Sequence, residues 1–162
     1  MRDKIINRKQ IIEYVNSTRK FIGRLVFCNG TFDLTHIGHI RLLEKAATLG
    51  HILLVAVNSD ASVRTLGKGD DRPIIPQDER AEMISALACV DYVTIFDEPT
   101  PLEIVNIVKP DVLVKGSDWA NKEIVGRREV ESWGGRVEII PLETGYSTTS
   151  LIERIRRMGC TK

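Results

Sequence analysis

Residues 29–39 combine glycines, an aspartate and two histidines in a pattern that suits phosphate binding. His36 and His39 are three residues apart, so on a helical turn they share one face. Gly30 and Gly38 allow the backbone to approach a ligand closely. A helix N-terminus adds unpaired N–H groups and a partial positive charge, which favour anions. We therefore predict that this segment leaves a strand, enters a helix and binds phosphate.

Each of these residues also has a simpler interpretation. A His-x-x-His pair alone is compatible with a metal site or an ordinary surface. Zinc is disfavoured, because the chain has three histidines and no cysteine close to the pair. The third histidine, His51, begins a strand and is expected to be structural or solvent-facing. Asp33 alone is compatible with a helix cap. The combination on one turn is more specific than any of its members.

The elements that position this segment follow from the alternation of apolar runs with helical spacing. Strands are predicted at residues 25–28, 52–57, 92–96, 112–114 and 137–140. Helices are predicted at residues 40–49, from 59 or 60 to about 66, and at 78–87, 101–108, 124–133 and 147–157. Strands alternating with helices predict an α/β fold with a single doubly wound, mostly parallel sheet.

Polar residues follow several of these strands, where such sheets bind ligands. Asp33, Asn58, Lys115 and Ser147 each lie just beyond a strand or at the start of the next helix. Ligands bind outside the carboxyl ends of the strands, so these residues are expected to converge on one rim. A tight turn also explains residues 115–118, and a helix cap also explains the Ser-Thr-Thr run that begins at Ser147.

Composition limits the classes of function that are open to the chain. Its 162 residues match one ordinary domain, and 43% hydrophobic residues supply one core. A net charge of +1 gives no field that would attract nucleic acid or an anionic membrane. The longest apolar stretch, residues 52–57, is too short to span a bilayer, and the polar N-terminus does not resemble a secretory signal.

The three cysteines are scattered and do not form a metal-binding or redox motif. Cys28, Cys89 and Cys160 lie far apart, which favours reduced thiols in a cytoplasmic protein over disulfides or a zinc site. Cys28 and Cys89 lie in apolar runs and are expected to be core residues.

Read together, the motifs resemble the nucleotidyltransferase superfamily that includes the glycerol-3-phosphate and choline-phosphate cytidylyltransferases and phosphopantetheine adenylyltransferase. Besides the histidine segment, the matching stretches are residues 57–60, 68–73, 78–80, 114–118 and 146–149, in the order found in that family. In detail the chain is most similar to the adenylyltransferase domain that makes ADP-heptose. The similarity covers about residues 20–157.

The resemblance implies an enzyme that transfers AMP from ATP to D-glycero-β-D-manno-heptose 1-phosphate, releasing pyrophosphate. The acceptor phosphate would attack the α-phosphorus directly, so catalysis rests on positioning and charge neutralisation. Mg²⁺ is the implied cofactor, held mainly by phosphates and water. Two alternatives stay open: a CTP-dependent cytidylyltransferase acting on glycerol 3-phosphate or a related phospho-alcohol, and a non-catalytic nucleotide-binding module.

The same resemblance assigns roles to individual residues. The implied catalytic residues are His36, His39 and Lys68. The implied nucleotide-binding residues are Gly30, Thr31, Phe32, Asp33, Gly38, Lys115, Gly116, Asp118, Ser147, Thr148 and Thr149. The implied acceptor-binding residues are Asn58, Arg72 and Arg80. A solvated loop lysine also explains Lys68, an exposed helix salt bridge also explains Arg80, and Trp119 either contacts the acceptor sugar or simply packs.

The resemblance also bears on domain organisation and assembly. Residues 1–20 are expected to form an N-terminal helical extension and residues 21–162 the nucleotidyltransferase domain. Cys89 stands where some family members carry an arginine, so no arginine contact is carried over at that position. Heptose relatives are often fused to a sugar kinase, which this chain is too short to contain, so a separate kinase is expected. A homodimer is expected from family habit.

Overall fold

Five parallel strands form one sheet in the computed structural model, which describes residues 2–17, 23–67, 69, 71–119, 123–142 and 145–159. The strands are β1 (Leu25–Gly30), β2 (Ile52–Asn58), β3 (Tyr92–Phe96), β4 (Val112–Gly116) and β5 (Arg136–Ile140). Their order is β3-β2-β1-β4-β5, and every neighbouring pair is parallel. The predicted doubly wound parallel sheet is confirmed.

Helices cover both faces of this sheet. They are α1 (Arg8–Ser17), α2 (Ile37–Ala47), α3 (Asp60–Thr65), α4 (Gln77–Ser85), α5 (Leu102–Val108), α6 (Arg127–Ser132) and α7 (Thr148–Gly159). The predicted start of α2 at residue 40 was wrong by three residues, since the helix begins directly after His36. The prediction of a helix over 124–133 was too long, because Gly126, with φ of 90°, precedes the helix in a left-handed conformation.

The core has two layers, one on each face of the sheet. Successive residues of a strand point to opposite faces. Val26 and Cys28 of β1 therefore pack with α2 and α4, whereas Leu25 and Phe27 pack with α1, α5 and α6. Burial on both faces explains why the strands read as unbroken apolar runs.

The N-terminal residues pack against the edge strand β3. The Ile6 backbone N–H donates to the Val93 carbonyl at 2.8 Å, and Lys4 Nζ donates to the Val90 carbonyl at 2.6 Å. Ile11 of α1 is fully buried in the core layer that contains Phe27. Arg8 forms ion pairs with two glutamates that precede and begin α5. The predicted N-terminal helix thus shares its core with the sheet.

The chain reverses its direction of strand addition between β1 and β4. From β1 the sheet grows through β2 to β3, and the chain then crosses back to place β4 on the other side of β1. Ligands of doubly wound sheets bind in the crevice at this switch point. Lys115 at the end of β4 donates to Asn29 Oδ1 at the end of β1, with Nζ 2.6 Å away. The two strand ends are therefore joined directly at the crevice.

Two of the three cysteines lie in the described part of the chain. Cys28 is buried, as predicted, and burial raises the pKa of its thiol to about 11. Cys89 is half-buried against the same core layer, and Cys160 lies outside the described residues. Within the described ranges, no helix has the length and apolar character needed to cross a membrane.

Candidate functional site

A cavity of about 670 Å³ opens at the switch point, a volume typical of small-molecule sites. Its walls come from the carboxyl ends of β1, β2 and β4 and from the start of α7. Among the predicted site residues, those that line it are Gly30, Thr31, Phe32, Asp33, His36, Gly38, His39, Asn58, Arg72, Lys115, Gly116, Asp118, Ser147, Thr148 and Thr149. The predicted convergence on one rim is therefore present. Lys68 lies outside the described residues.

The two histidines lie at the start of α2 with their rings stacked. His36 immediately precedes the helix and His39 lies in its first turn. The ring centroids are 3.9 Å apart with an interplanar angle of 23°, and the Phe32 ring meets His39 edge-on at 5.2 Å. The His36 backbone N–H donates to His39 Nδ1 at 3.4 Å. This contact leaves Nε2 as the donor of a neutral His39.

His36 has a buried ring nitrogen that makes no hydrogen bond to the described residues. Its Nδ1 is inaccessible to solvent and accepts or donates no hydrogen bond among the described residues. Burial also lowers the pKa of His36 below its usual 6.5, so the imidazole is neutral at pH 7. Buried polar atoms in proteins are almost always satisfied. A neutral imidazole still has one N–H group, so it can donate to an anionic ligand without bringing two full positive charges together.

The lowered pKa of His36 gives a testable pH dependence. We expect its Cε1 proton signal in NMR to titrate below pH 6.5, with assignment from a His36→Gln variant. Because the folded-state pKa is depressed, the stability contributed by neutral His36 is fully present above pH 6.5 and is lost as pH falls through the folded pKa. A His36 titration at or above pH 6.5 would contradict the burial of this ring.

The turn before the histidines is held in an unusual conformation. Phe32 is buried and has a φ of 50°, a region that side-chain-bearing residues rarely adopt. A Cβ at Gly30 would lie 3.1 Å from the Phe32 ring, so glycine lets the ring pack closely against the backbone at this position. Such strain is kept where surrounding structure enforces it, commonly at functional sites.

Gly38 leaves room for the His36 ring. A Cβ added at Gly38 would lie 3.0 Å from both Cε1 and Nδ1 of that ring. We expect Gly38→Ala to preserve the helix but to push His36 aside and lower turnover at least tenfold, because a small misplacement of a catalytic group is costly. Steady-state kinetics checks this against Gly159→Ala, whose new Cβ meets nothing within 4 Å. Equal turnover in both variants would contradict it.

Asp33 organises the loop that carries Arg72. Its Oδ1 accepts from the backbone N–H groups of Ile74 and Ile75 at 2.8 and 2.9 Å, and its Oδ2 accepts from Arg72 Nε at 2.5 Å. The Asp33 side chain is 0% exposed and that of Arg72 is 9% exposed. The carboxylate thus fixes Arg72 at the cavity wall.

The opposite wall combines a buried lysine with a tight loop. Burial lowers the pKa of Lys115. A Cβ at Gly116 would lie 2.8 Å from Asp118 Oδ1 and 2.9 Å from the Leu142 side chain, so only glycine lets this carboxylate fold close to the backbone. These residues place a cation and a carboxylate within one loop.

The start of α7 is capped by its own residues. Ser147 Oγ accepts from the Ser150 backbone N–H at 3.0 Å, and Ser150 Oγ accepts from the Ser147 backbone N–H at 3.2 Å. The interpretation of Ser147 as a helix cap is therefore confirmed. Thr148 and Thr149 follow at the cavity wall, where a helix N-terminus favours anions.

The structure corrects one predicted contact. Arg80 is 0% exposed and does not line the cavity, so it cannot reach an acceptor there. Its guanidinium instead donates to Asp60 and to two backbone carbonyls. The alternative of a helix salt bridge is confirmed by the pair with Asp60, but the arginine in it is buried and not exposed. Asn58 does line the cavity, and its Nδ2 donates to Ser62 Oγ at 2.9 Å.

His51 and Trp133 make structural contacts and do not line the cavity. His51 Nδ1 accepts from the Arg24 backbone N–H at 3.0 Å, which is a structural contact. Trp133 donates from Nε1 to the Pro110 carbonyl at 3.0 Å and packs against the core. Trp119 lies in a short turn after β4, and its side chain is outside the described part of the chain.

The loop after β3 was missed by sequence reasoning. Pro99, Thr100 and Pro101 line the cavity beside Asn58, together with Leu66 from the end of α3. The rule that ligands lie beyond the carboxyl ends of strands applies to β3 as well. Because β3 lies next to β2 in the sheet, the loop after β3 reaches the cavity. The order of the strands could not be deduced from the sequence alone.

Metal binding at this site would rely on the substrate. Across the described ranges, no three His, Cys, Asp or Glu side chains are grouped to hold an ion. Asp118 and Asp33 both line the cavity, and the Asp33 carboxylate also accepts three hydrogen bonds from the protein. Oxygen donors of this kind fit Mg²⁺ bound mainly by phosphates and water.

Comparison with known proteins establishes the family. The model of the family described as cytidylyltransferase-like matches residues 27–154. The chain belongs to the cytidylyltransferase-like family. The resemblance inferred from the motifs is thereby confirmed.

Curated relatives of this cytidylyltransferase-like chain share about half of its residues. "Bifunctional protein HldE" from Koribacter versatilis is 52% identical over 151 residues, which covers 93% of this chain and 31% of that protein. The protein of the same name from Geobacter metallireducens is 52% identical over 154 residues, covering 95% and 31%. The chain spans about a third of the length of these relatives.

Solved structures agree with the cytidylyltransferase-like fold. The lipopolysaccharide core biosynthesis protein from Thermoplasma volcanium matches with a TM-score of 0.62 and 31% identity, covering 77% of this chain and 99% of that one. Pantoate-beta-alanine ligase from Francisella tularensis matches with a TM-score of 0.64 and 18% identity, covering 94% and 76%. The second likeness shows the fold alone.

Proposed function

We propose that this chain transfers AMP from ATP to D-glycero-β-D-manno-heptose 1-phosphate, giving ADP-heptose and pyrophosphate. The observation that carries the proposal is that the stacked histidines, the Lys115 loop and Arg72 line one cavity. The similarity to the ADP-heptose-forming domain, the HldE relatives and the lipopolysaccharide core biosynthesis protein support heptose as the acceptor.

The reaction needs no covalent bond to the protein. An oxygen of the acceptor phosphate attacks the α-phosphorus, the bond from that phosphorus to the bridging oxygen breaks, and pyrophosphate leaves with the electron pair. The attacking oxygen is already anionic, so no base is required. His36 and His39 donate hydrogen bonds to phosphate oxygens as negative charge builds in the transition state. Mg²⁺ would neutralise part of the triphosphate charge when bound.

The two substrates divide the cavity between them. The nucleotide lies over Gly30 and the Lys115 loop, and its outer phosphates face Ser147 and the start of α7. The acceptor lies towards β2 and β3, with Arg72 on its phosphate and Asn58 near the sugar. Lys68 is proposed to close over the phosphates. In this proposed arrangement, the α-phosphorus lies near the histidines, between the pyrophosphate leaving group and the attacking acceptor oxygen.

A substrate panel with pyrophosphate detection tests the proposal. ATP, CTP, GTP and UTP are each combined with the heptose 1-phosphate, glycerol 3-phosphate and choline phosphate. We expect the fastest turnover with ATP and heptose 1-phosphate. Faster turnover of CTP with glycerol 3-phosphate would replace the heptose proposal by the cytidylyltransferase alternative, which the family description supports. Binding of ATP without pyrophosphate release from any pair would indicate a non-catalytic nucleotide-binding module.

We also propose that the chain forms a homodimer in the cytoplasm. The outer face of α7 supports association, because Ile155 and Met158 are exposed and no described residue of that helix is buried. Light scattering coupled to gel filtration measures the mass directly, and a monomer at micromolar concentration would contradict the dimer.

A further inference from the structure

Arg80 is a fully buried arginine that the chemistry described above does not use. It lies in α4 with 0% exposure. Nη1 donates to the Thr31 carbonyl at 2.6 Å, Nε donates to the Ile75 carbonyl at 2.8 Å, and Nη2 donates to Asp60 Oδ1 at 2.6 Å. One side chain therefore joins three separate segments behind the cavity.

Two of these segments carry the opposite sides of the site. Thr31 belongs to the strained turn that precedes the histidines, and Ile75 ends the strap, defined here as residues 72–75, which begins with Arg72. Asp33 makes a second link between turn and strap through its three hydrogen bonds. Arg80 and Asp33 together fix the nucleotide side of the cavity relative to the acceptor side.

The chemistry of arginine suits this link. A planar guanidinium donates in several fixed directions at once, whereas a lysine ammonium is a single point donor on a flexible stem. A buried cation is tolerated when it is paired and fully hydrogen-bonded, and Asp60 supplies the pair. Stability alone does not require these contacts to fall on the two loops that carry the site.

We propose that Arg80, held by Asp60, is a positioning residue for nucleotidyl transfer: by joining the Thr31 turn to the strap, it sets the placement of Arg72 relative to the histidines. This inference rests on the proposed nucleotidyltransferase function. Arg80 touches neither substrate. Its effect is to keep the acceptor phosphate in line with the α-phosphorus, where a displacement of about 1 Å costs on the order of 100-fold in rate.

The test compares Arg80→Lys and Asp60→Asn with Trp133→Phe, a control that removes one partly buried side-chain hydrogen bond away from the site. Thermal melting and circular dichroism establish that each variant is folded. With ATP and the acceptor selected by the panel, we expect kcat of Arg80→Lys to fall about 100-fold. Asp60→Asn is expected to fall less, and Trp133→Phe is expected to lose thermal stability while keeping the wild-type kcat.

A double-mutant cycle provides a readout that a purely structural role would not change. If Arg80 acts through Arg72, Arg80→Lys should lower kcat much less in an Arg72→Met background than in the wild-type background. Losses that simply multiply would overturn the positioning role. If Arg80→Lys does not fold, a folded Asp60→Asn with wild-type kcat would overturn it.

The result for the wild-type enzyme separates the two proposals. Wild-type turnover together with a folded, fully active Arg80→Lys overturns only the role of Arg80. No pyrophosphate from the wild-type protein with any substrate pair overturns the proposed function and this inference with it.

Discussion

His36→Ala and His39→Ala are each expected to reduce the rate of pyrophosphate release by about 10²–10³-fold, the usual cost of removing one donor that stabilises transition-state charge. The two rings form a stacked pair at the start of α2, and His36 Nδ1 is a buried nitrogen without a partner among the described residues. Both rings line the cavity, where each can donate a hydrogen bond to the reacting phosphates. Continuous pyrophosphate detection at saturating substrates measures the effect.

The chain supplies its own control for this experiment. His51 contacts the Arg24 backbone and does not line the cavity, so His51→Ala should keep the wild-type rate. Circular dichroism should show that all three variants are folded. Wild-type rates in both His36→Ala and His39→Ala would show that the histidine pair does not contribute to catalysis.

Asp33→Ala is expected to lower the free energy of unfolding by about 3–5 kcal/mol, the typical cost of breaking a buried ion pair by removing one partner. The substitution leaves the nearly buried Arg72 cation and the backbone N–H groups of Ile74 and Ile75 without their acceptor. Turnover should also fall, since the strap no longer holds Arg72 at the cavity. Urea unfolding monitored by fluorescence gives the change in stability.

An exposed ion pair next to the strap serves as the comparison for the buried pair of Asp33 and Arg72. Arg156 of α7 pairs with Asp71 at 2.7 Å, and the two side chains are 68% and 60% exposed. Arg156→Ala should therefore cost less than about 1 kcal/mol. Equal losses of stability for Asp33→Ala and Arg156→Ala would show that burial does not determine the strength of these contacts.

The sheet was predictable because its strands are buried on both faces. β1 and β2 carry unbroken apolar runs, which mark parallel strands covered by helices. The start of α2 was less predictable, because its first turn contains Gly38 and His39 instead of a periodic apolar stripe. Ile11 was missed as a core residue since its burial depends on packing against a distant part of the sheet.

The cavity residues that directly follow the carboxyl ends of strands were predictable from the sequence. Asn58 and Lys115 follow directly from the carboxyl-end rule. Arg80 did not, because charged residues are seldom fully buried and its partners Thr31 and Asp60 lie 49 and 20 residues away in sequence. The positive φ of Phe32 also has no sequence signal, as it is imposed by the packing of the turn.

The most direct test of nucleotidyl transfer is the identity of the products. The protein, ATP, Mg²⁺ and the heptose 1-phosphate are followed by ³¹P NMR. Transfer of AMP predicts equal amounts of pyrophosphate and of a diphosphate linked at one end to adenosine and at the other to the sugar. Formation of ADP with a doubly phosphorylated sugar, or of ADP and inorganic phosphate, would contradict attack at the α-phosphorus and with it the function proposed for this cavity.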